Sequence, residues 1–335
     1  MYMFKYVTKR LGLMLCTFFI IFTMCFVLVK LLPIPTNARP GQDPEIIMKT
    51  LEGRGWITNI REGKNGVWEY DRVPILLQYG NYFKRIITRG DFGIVTTYGE
   101  YLGSNIWKVF TDHLPPTMLL NIYSSLIGVP IGLGLGILAA LKKNKWQDQV
   151  INIFVVFLIS VPGLVRALMI QYGLCFKLGW FPLTMSTSND YFTWPVFYSM
   201  LPAVFALCLG SVAHYARTVR AELSEVLTGE FMLLARTKGL TKRQAVMRHA
   251  LRNSAVVIFP TILGEFIGMF SGSLIYERMF GINGTGELYL NSIVFQDYDF
   301  FMMLAGFYTL IGLLAGIIQD ISMGFVDPRI KMGAR

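Results

Sequence analysis

Residues 228–254 read TGEFMLLARTKGLTKRQAVMRHALRNS. This basic, helix-forming stretch sits between two long apolar runs, and that placement decides the fold. Apolar runs on both sides make the chain a membrane-crossing one, and a charged segment between two spans implies something outside the bilayer that grips it. Within the stretch, Ala235-Arg236-Thr237-Lys238-Gly239 precedes His249-Ala250-Leu251-Arg252-Asn253. Leu233, Leu234 and Ala235 are expected to end a short helix. Gly239 then turns the chain, and Thr241 caps a second helix carrying Ala245, Val246 and His249.

Working outward, the 335 residues are 53% hydrophobic with mean hydropathy +0.48, which excludes an ordinary soluble domain. A helix crossing ~30 Å of hydrocarbon needs about 20 apolar residues. Six segments meet that length: 11–32, 116–141, 149–176, 196–216, 254–275 and 301–323. Pro162 and Gly163 are expected to kink the third. The first follows Lys5, Lys9 and Arg10 and leads into LLPIPTNARP rather than a small-residue cleavage site, so it reads as an uncleaved span.

The net charge of +10 is distributed unevenly. With the N-terminus inside, the inner segments hold Lys5, Lys9, Arg10, Lys142, Lys143, Lys145, the basic residues of 217–252, Arg329, Lys331 and Arg335. The short outer loops hold only Lys177 and Arg278. This asymmetry places both termini in the cytoplasm and accounts for the basic balance without nucleic acid. The segment 33–113 carries ten Lys/Arg and nine Asp/Glu, but long loops cross largely regardless of charge. Within it, Ile75, Leu76, Tyr79, Tyr82, Phe83, Ile86 and Ile87 recur at helical spacing behind Pro74, predicting an amphipathic helix that packs on the spans or docks an external binding protein.

Signs of catalysis are missing. There is no G-x-x-x-x-G-K-[ST] phosphate loop, and Gly281-Ile282-Asn283-Gly284-Thr285-Gly286-Glu287 has no lysine. The three histidines are far apart, so a metal site or a nucleophile–base pair is not expected. The four cysteines (Cys16, Cys25, Cys175, Cys208) are scattered through apolar runs and read as buried and reduced. Gly132, Gly134 and Gly136 are expected to permit close helix packing.

The central stretch resembles the cytoplasmic coupling loop of ATP-binding-cassette importer permeases, whose peptide-permease branch favours ARAKG and HALRN at these places. The resemblance extends along the chain. Gly90-Asp91-Phe92-Gly93 is similar to GDLG, Leu178-Gly179-Trp180-Phe181-Pro182 to LGWLP, and Asp327-Pro328-Arg329-Ile330 to the DPRIR terminus. Glu277-Arg278-Met279-Phe280-Gly281 with Gly284-Thr285-Gly286 is similar to ETVFGxPGLG, with Asn283 replacing the usual proline. The match covers roughly 1–32 and 74–331 and points to the B-type subunit of oligopeptide, dipeptide and nickel permeases.

That resemblance implies an all-α polytopic protein of six transmembrane helices with the type I importer fold and a large extracytoplasmic insertion. The expected organisation is an N-terminal span at 1–32, an outer scaffold at 33–113, a transmembrane domain at 114–324 with its coupling loop at 228–252, and a cytoplasmic tail at 325–335. It implies residence in a bacterial cytoplasmic membrane, contact with membrane lipid, and four kinds of subunit: this chain, a C-type permease, two ATPases that bind ATP and Mg, and an extracytoplasmic substrate-binding protein. No cofactor is expected on this chain. Leu234, Ala235, Arg236, Thr237, Lys238, Gly239, His249 and Arg252 would meet the ATPases. The cargo implied is a short peptide, with nickel chelate, glutathione, haem or an oligosaccharide as alternatives. Outside the family, a stand-alone secondary carrier or a membrane-embedded enzyme are the rivals.

Arg166 in the third span and Glu265 in the fifth depart from the family pattern. A mid-depth charge costs ~2.5–3.5 kcal/mol on insertion scales, so neither is expected to face lipid unpaired. Counted along straight helices they lie ~26 Å and ~17 Å from the inner ends. They either pair with one another, or one lines the cavity and meets a charged end of the substrate, or they bridge helices or snorkel with no substrate role.

Overall fold

The computed structural model describes residues 2–34, 43–62, 68–187 and 190–326. The chain is mostly helical. Among the described residues, five helices are long and apolar enough to cross a membrane, or six if one sharply bent pair counts as a single span. Two compact units emerge. One comprises Met1–Met14, Leu114–Glu287 and Ile311–Arg335, and the other Leu15–His113 and Leu288–Leu310.

The smaller unit contains the second half of α1 (Tyr2–Leu31), α2 (Pro44–Gly53), an antiparallel hairpin of β1 (Ile57–Glu62) and β2 (Trp68–Arg72), α3 (Ile75–Arg89), and the start of the last helix. The predicted amphipathic helix forms as α3. Pro74 precedes it and Gly90, at φ 60°, ends it in the left-handed conformation. Ile75, Tyr79, Tyr82, Phe83 and Ile86 pack on Phe22, Phe26 and Trp56, whereas Leu76 and Ile87 point outward. Segment 33–113 thus shares its core with the first and last spans. Asp297 is fully buried and accepts from the amides of Thr96 (2.6 Å) and Thr97 (3.0 Å), and burial raises its pKa above the ordinary carboxylate value. Asp299, two residues on, pairs with Arg54.

In the larger unit, α4 (Ile106–Leu141) enters with Pro115, Pro116 and Pro130 inside the helix, which membrane spans tolerate when neighbours re-satisfy the backbone. The predicted kink in the third span is far larger than a kink. Helix α5 (Trp146–Ser160) stops at Val161-Pro162, and α6 (Gly163–Ile170), continuing as a π-turn over Gln171–Lys177, leaves at 104°. Proline removes the amide that would continue the helix and disfavours helical geometry at the residue before it.

Helix α7 (Trp194–Thr228) is the spine of this unit. Helix α4 lies against it through Gly128, Gly132 and Gly136. A β-carbon at Gly132 would sit 2.9 Å from the Val212 carbonyl oxygen, and one at Gly136 would sit 2.9 Å from that of Ala216. Gly134, expected to share this role, faces outward and touches nothing within 4 Å. Helix α5 is clamped to α7 by Asp148, which takes Nε (2.6 Å) and Nη2 (2.9 Å) of Arg220 in a bidentate pair. The Asn144 amide and the Asn152 side chain supply two more donors at 2.9 Å each.

After α7 come α8 (Glu230–Thr237), α9 (Lys242–Ala245) and α10 (Leu251–Gly268). Helix α10 ends at Gly268, earlier than the expected 275, because Asn121 of α4 catches the carbonyls of Met269 and Ser271 (3.1 Å each) and holds a turn there. Helices α11 (Leu274–Met279), α12 (Thr285–Val294) and α13 (Tyr298–Val326) complete the chain. Asp320 of α13 pairs with Arg10 at 2.8 Å. All four cysteines are free. Cys16 is exposed on α1 and Cys25 half-buried, which corrects the expectation that all are buried. The terminal Asp327 and Arg329 lie outside the described residues.

Candidate coupling site and intramembrane charges

The hairpin 228–252 is built as its residues dictate, with two differences. Helix α8 continues past Ala235 to Thr237 and is closed by Gly239 at φ 87°. The Leu240 amide returns to the Ala235 carbonyl (3.3 Å), so a left-handed glycine and a six-to-one bond end the helix. Thr241 then opens the next helix reciprocally. Its hydroxyl accepts from the Gln244 amide (3.3 Å), and the Gln244 side-chain oxygen accepts from the Thr241 amide (3.0 Å). This is a capping box, spelled T-x-x-Q in the sequence. The second difference lies beyond. The second helix does not stop before the fifth span, because α9 passes through a π-turn at Val246–Ala250 directly into α10. His249 belongs to that π-turn and Arg252 to the first turn of α10.

One face of the hairpin is anchored. Met232, Ala235, Ala245, Val246 and Ala250 are buried against Ala140 of α4 and Leu223 of α7. The opposite face is open. Leu233, Leu234 and Met247 are exposed, as are Thr237, Lys238, Gly239, Arg243, Arg248, His249 and Arg252. Among the described residues none of these cations is in an ion pair. The Arg236 side chain lies outside the described structure. A cleft of about 600 Å³ separates the hairpin from the α4–α5 turn and is lined by Lys142, Lys143, Lys145, Leu227, Met232 and Leu233. Of the eight predicted hairpin residues, Ala235 is therefore structural, Gly239 sets the turn, and Leu234, Thr237, Lys238, His249 and Arg252 form an exposed apolar and cationic face.

The two intramembrane charges do not meet. Glu265 accepts from Ser125 of α4 (2.7 Å) and Ser211 of α7 (2.9 Å). Arg166 lies against Gly210, with its guanidinium nitrogens 3.5–3.6 Å from where a β-carbon would be. Gly210 and Ser211 are adjacent on α7, and successive residues on a helix point about 100° apart, so the two charges occupy different sides of it. The 104° bend also changes the depth of Arg166. Helix α5 climbs only about 22 Å before the break, and α6 then travels sideways, so the straight-helix count overstates its height.

Two features went unread in the sequence. One is the Asp148–Arg220 clamp, since Arg220 reads in the sequence only as an inner positive charge. The other is the role of Glu277, which is fully buried beyond the fifth span. It accepts from the amides of Ser273 (2.7 Å) and Gly286 (2.8 Å) and from the Thr117 hydroxyl (3.1 Å). Burial raises its pKa above the ordinary value, and those donors act in the opposite direction. A β-carbon at Gly284 would lie 2.4 Å from Glu277 Oε2, and one at Gly286 2.8 Å from it. The glycines of the Gly284-Thr285-Gly286 motif are thus the wall of a carboxylate nest, unconnected with phosphate.

A family model described as "binding-protein-dependent transport system inner membrane component" matches residues 132–332, which includes the whole hairpin. The chain belongs to this family. As a permease it also has close relatives over nearly its full length. It is 31% identical to the dipeptide transport system permease protein DppB of Lactococcus lactis, over 98% of this chain and 100% of the relative. The DppB of Bacillus subtilis is likewise 31% identical, with 98% of each chain covered. The oligopeptide transport system permease protein OppB of Haemophilus influenzae is 27% identical, over 98% of this chain and 100% of the relative. The permease is a multi-pass membrane protein.

Position 239 gives a direct test of the hairpin. A valine at φ 87° is strained by ~1–2 kcal/mol or more, and leaving that conformation breaks the Leu240–Ala235 bond. Gly239→Val is expected to raise trypsin cleavage within the hairpin by roughly 5–30-fold while thermal unfolding of the spans barely shifts. Limited digestion beside a thermal melt checks both.

Proposed function

We propose that this permease forms half of the translocation pathway of an importer for short peptides. It works beside a second, related permease, with two ATPase subunits that hold ATP and Mg and an extracytoplasmic protein that delivers the peptide. The hairpin and both termini face the cytoplasm of a bacterium, as the crowding of Lys and Arg on that side indicates.

The single observation that carries this reading is the hairpin's exposed, uncompensated apolar and cationic face on an otherwise anchored element, in a chain of the binding-protein-dependent family. Transport on this chain is mechanical. Closure of the ATPases on nucleotide displaces the gripped hairpin, and because α9 runs unbroken into α10, the displacement reaches the fifth span directly. The glycine seam and the Asp148–Arg220 clamp carry α4, α5 and α7 along as one body. The peptide-permease relatives support peptide as the cargo.

Fully burying a leucine contributes ~1.5–3 kcal/mol. Replacing both Leu233 and Leu234 with aspartate is therefore expected to cut ATPase co-purification at least tenfold and abolish peptide uptake, with the permease pair still folded. A double variant that retains its ATPases and imports peptide normally refutes the grip at this face.

A further inference from the structure

We infer that Arg166, with the Tyr276 hydroxyl and the first turn of α6, binds the free carboxylate of the peptide during its passage. This inference rests on the peptide-import reading above and assigns to one site the recognition of a group that every unmodified peptide carries.

The first observation is an imbalance of partners. Among the described residues, no hydrogen bond and no ion pair engages the Arg166 side chain, and its Nε is buried without an acceptor. The counter-ion expected from the sequence, Glu265, is committed to Ser125 and Ser211 on another side of α7. An arginine inside a membrane protein is expensive and persists where an anion is supplied to it. This one is not placed to snorkel. It sits on α6, past the break at Val161-Pro162, and its guanidinium turns inward onto Gly210 of α7.

The second observation is convergence. The point where a β-carbon of Gly163 would be lies 2.9 Å from the Tyr276 hydroxyl and 3.7 Å from Arg166 Nη2. Three kinds of donor therefore surround Gly163: a guanidinium fork, a phenolic O–H, and the opening amides of α6, which have no acceptor within their own helix. No hydrogen bond to the Tyr276 hydroxyl forms among the described residues. Glycine at 163 and at 210 adds no side chain of its own beside the guanidinium. A discontinuous membrane helix whose N-terminal half-dipole faces a vacated backbone turn suits an anionic substrate group. The planar fork selects a carboxylate in bidentate geometry over a point charge.

The break supplies the third element. Helix α5 ends about 22 Å from its inner end, so the donors cluster well inside the hydrocarbon thickness rather than at the cytoplasmic rim. A carboxylate arriving there from the outer side meets an already oriented set of donors. It leaves when motion of α10 and α11 relative to α6 separates Tyr276 from Gly163.

The test uses the assembled importer with both permeases, ATPases and binding protein in proteoliposomes. Its probe is radiolabelled alanyl-phenylalanine at saturating binding protein. Arg166→Gln is expected to lower the uptake rate at least tenfold while ATP hydrolysis stimulated by the loaded binding protein is kept, and Arg166→Lys is expected to fall between. A second probe, a dipeptide with C-terminal benzoylphenylalanine illuminated during turnover, is expected to label the Gly163–Ala167 or Tyr276 segment of wild type and not of Arg166→Gln. Wild-type uptake rate in Arg166→Gln, or labelling confined to other segments, overturns the inference. So does loss of the second permease from the purified Arg166→Gln complex, which makes the arginine a subunit-interface group. Failure of the wild-type assembly to import the dipeptide refutes instead the peptide reading on which the inference rests.

Discussion

A leucine at position 136 is expected to leave little folded permease in the membrane, whereas a leucine at position 134 is expected to change almost nothing. The two glycines are two residues apart in one Gly-Leu-Gly-Leu-Gly run, and composition cannot tell them apart. A β-carbon at 136 would lie 2.7 Å from the Val219 β-carbon and 2.9 Å from the Ala216 carbonyl oxygen. That oxygen belongs to the α7 backbone and cannot swing aside, so α4 must move away along its whole contact. Ordinary overpacking costs ~1–3 kcal/mol. Here the loss is larger, because the approach at Gly128 and Gly132 is forfeited with it. Gly134 faces outward with nothing within 4 Å. Yield of monodisperse protein and a thermal melt distinguish the pair. Equal behaviour of Gly136→Leu and Gly134→Leu refutes the seam.

Cutting the Asp148–Arg220 clamp from either side is the second large effect. Asp148 is 2% exposed and accepts four hydrogen bonds, two of them from Arg220. Removing one partner of a buried pair typically costs ~3–5 kcal/mol, because the other charge stays buried without compensation. Asp148→Ala and Arg220→Ala are each expected to lose that amount, with Arg220 nearer the lower figure because part of its side chain reaches solvent. The double variant Asp148→Leu with Arg220→Met is expected to recover most of the loss. Thermal unfolding of the purified permease gives the three values, and a double variant that loses as much as the two single losses added together refutes the pairing.

Most of the architecture was legible in the sequence for a simple physical reason. Hydropathy reports burial in lipid, and caps report helix ends. Thr241, Gln244 and Gly239 determine the hairpin's shape through contacts only a few residues away, and Pro74 and Gly90 do the same for α3. What escaped reading depends on partners far along the chain. Asp148 finds Arg220 across 72 residues, and Thr117 reaches Glu277 across 160. The bend at Pro162 was legible as a site but not in size, since its 104° is set by how α6 packs on α7. Of the alternatives for Arg166 and Glu265, the mutual pair is the one the orientation excludes, because spacing along two helices says nothing of which side of a third each one faces. The unbroken passage from α9 to α10 was hidden because a π-turn has no sequence signature of its own.

Glu277 has a consequence for how this permease can change over time. Its carboxylate stands in the space that side chains at 284 and 286 would need, and so do neighbours that no change at 277 removes: the Thr117 hydroxyl crowds a β-carbon at 284, and the Leu274 amide nitrogen would lie 2.9 Å from one at 286. Shortening residue 277 therefore frees neither glycine. Related permeases are expected to hold glycine at both positions more strictly than they hold the acid.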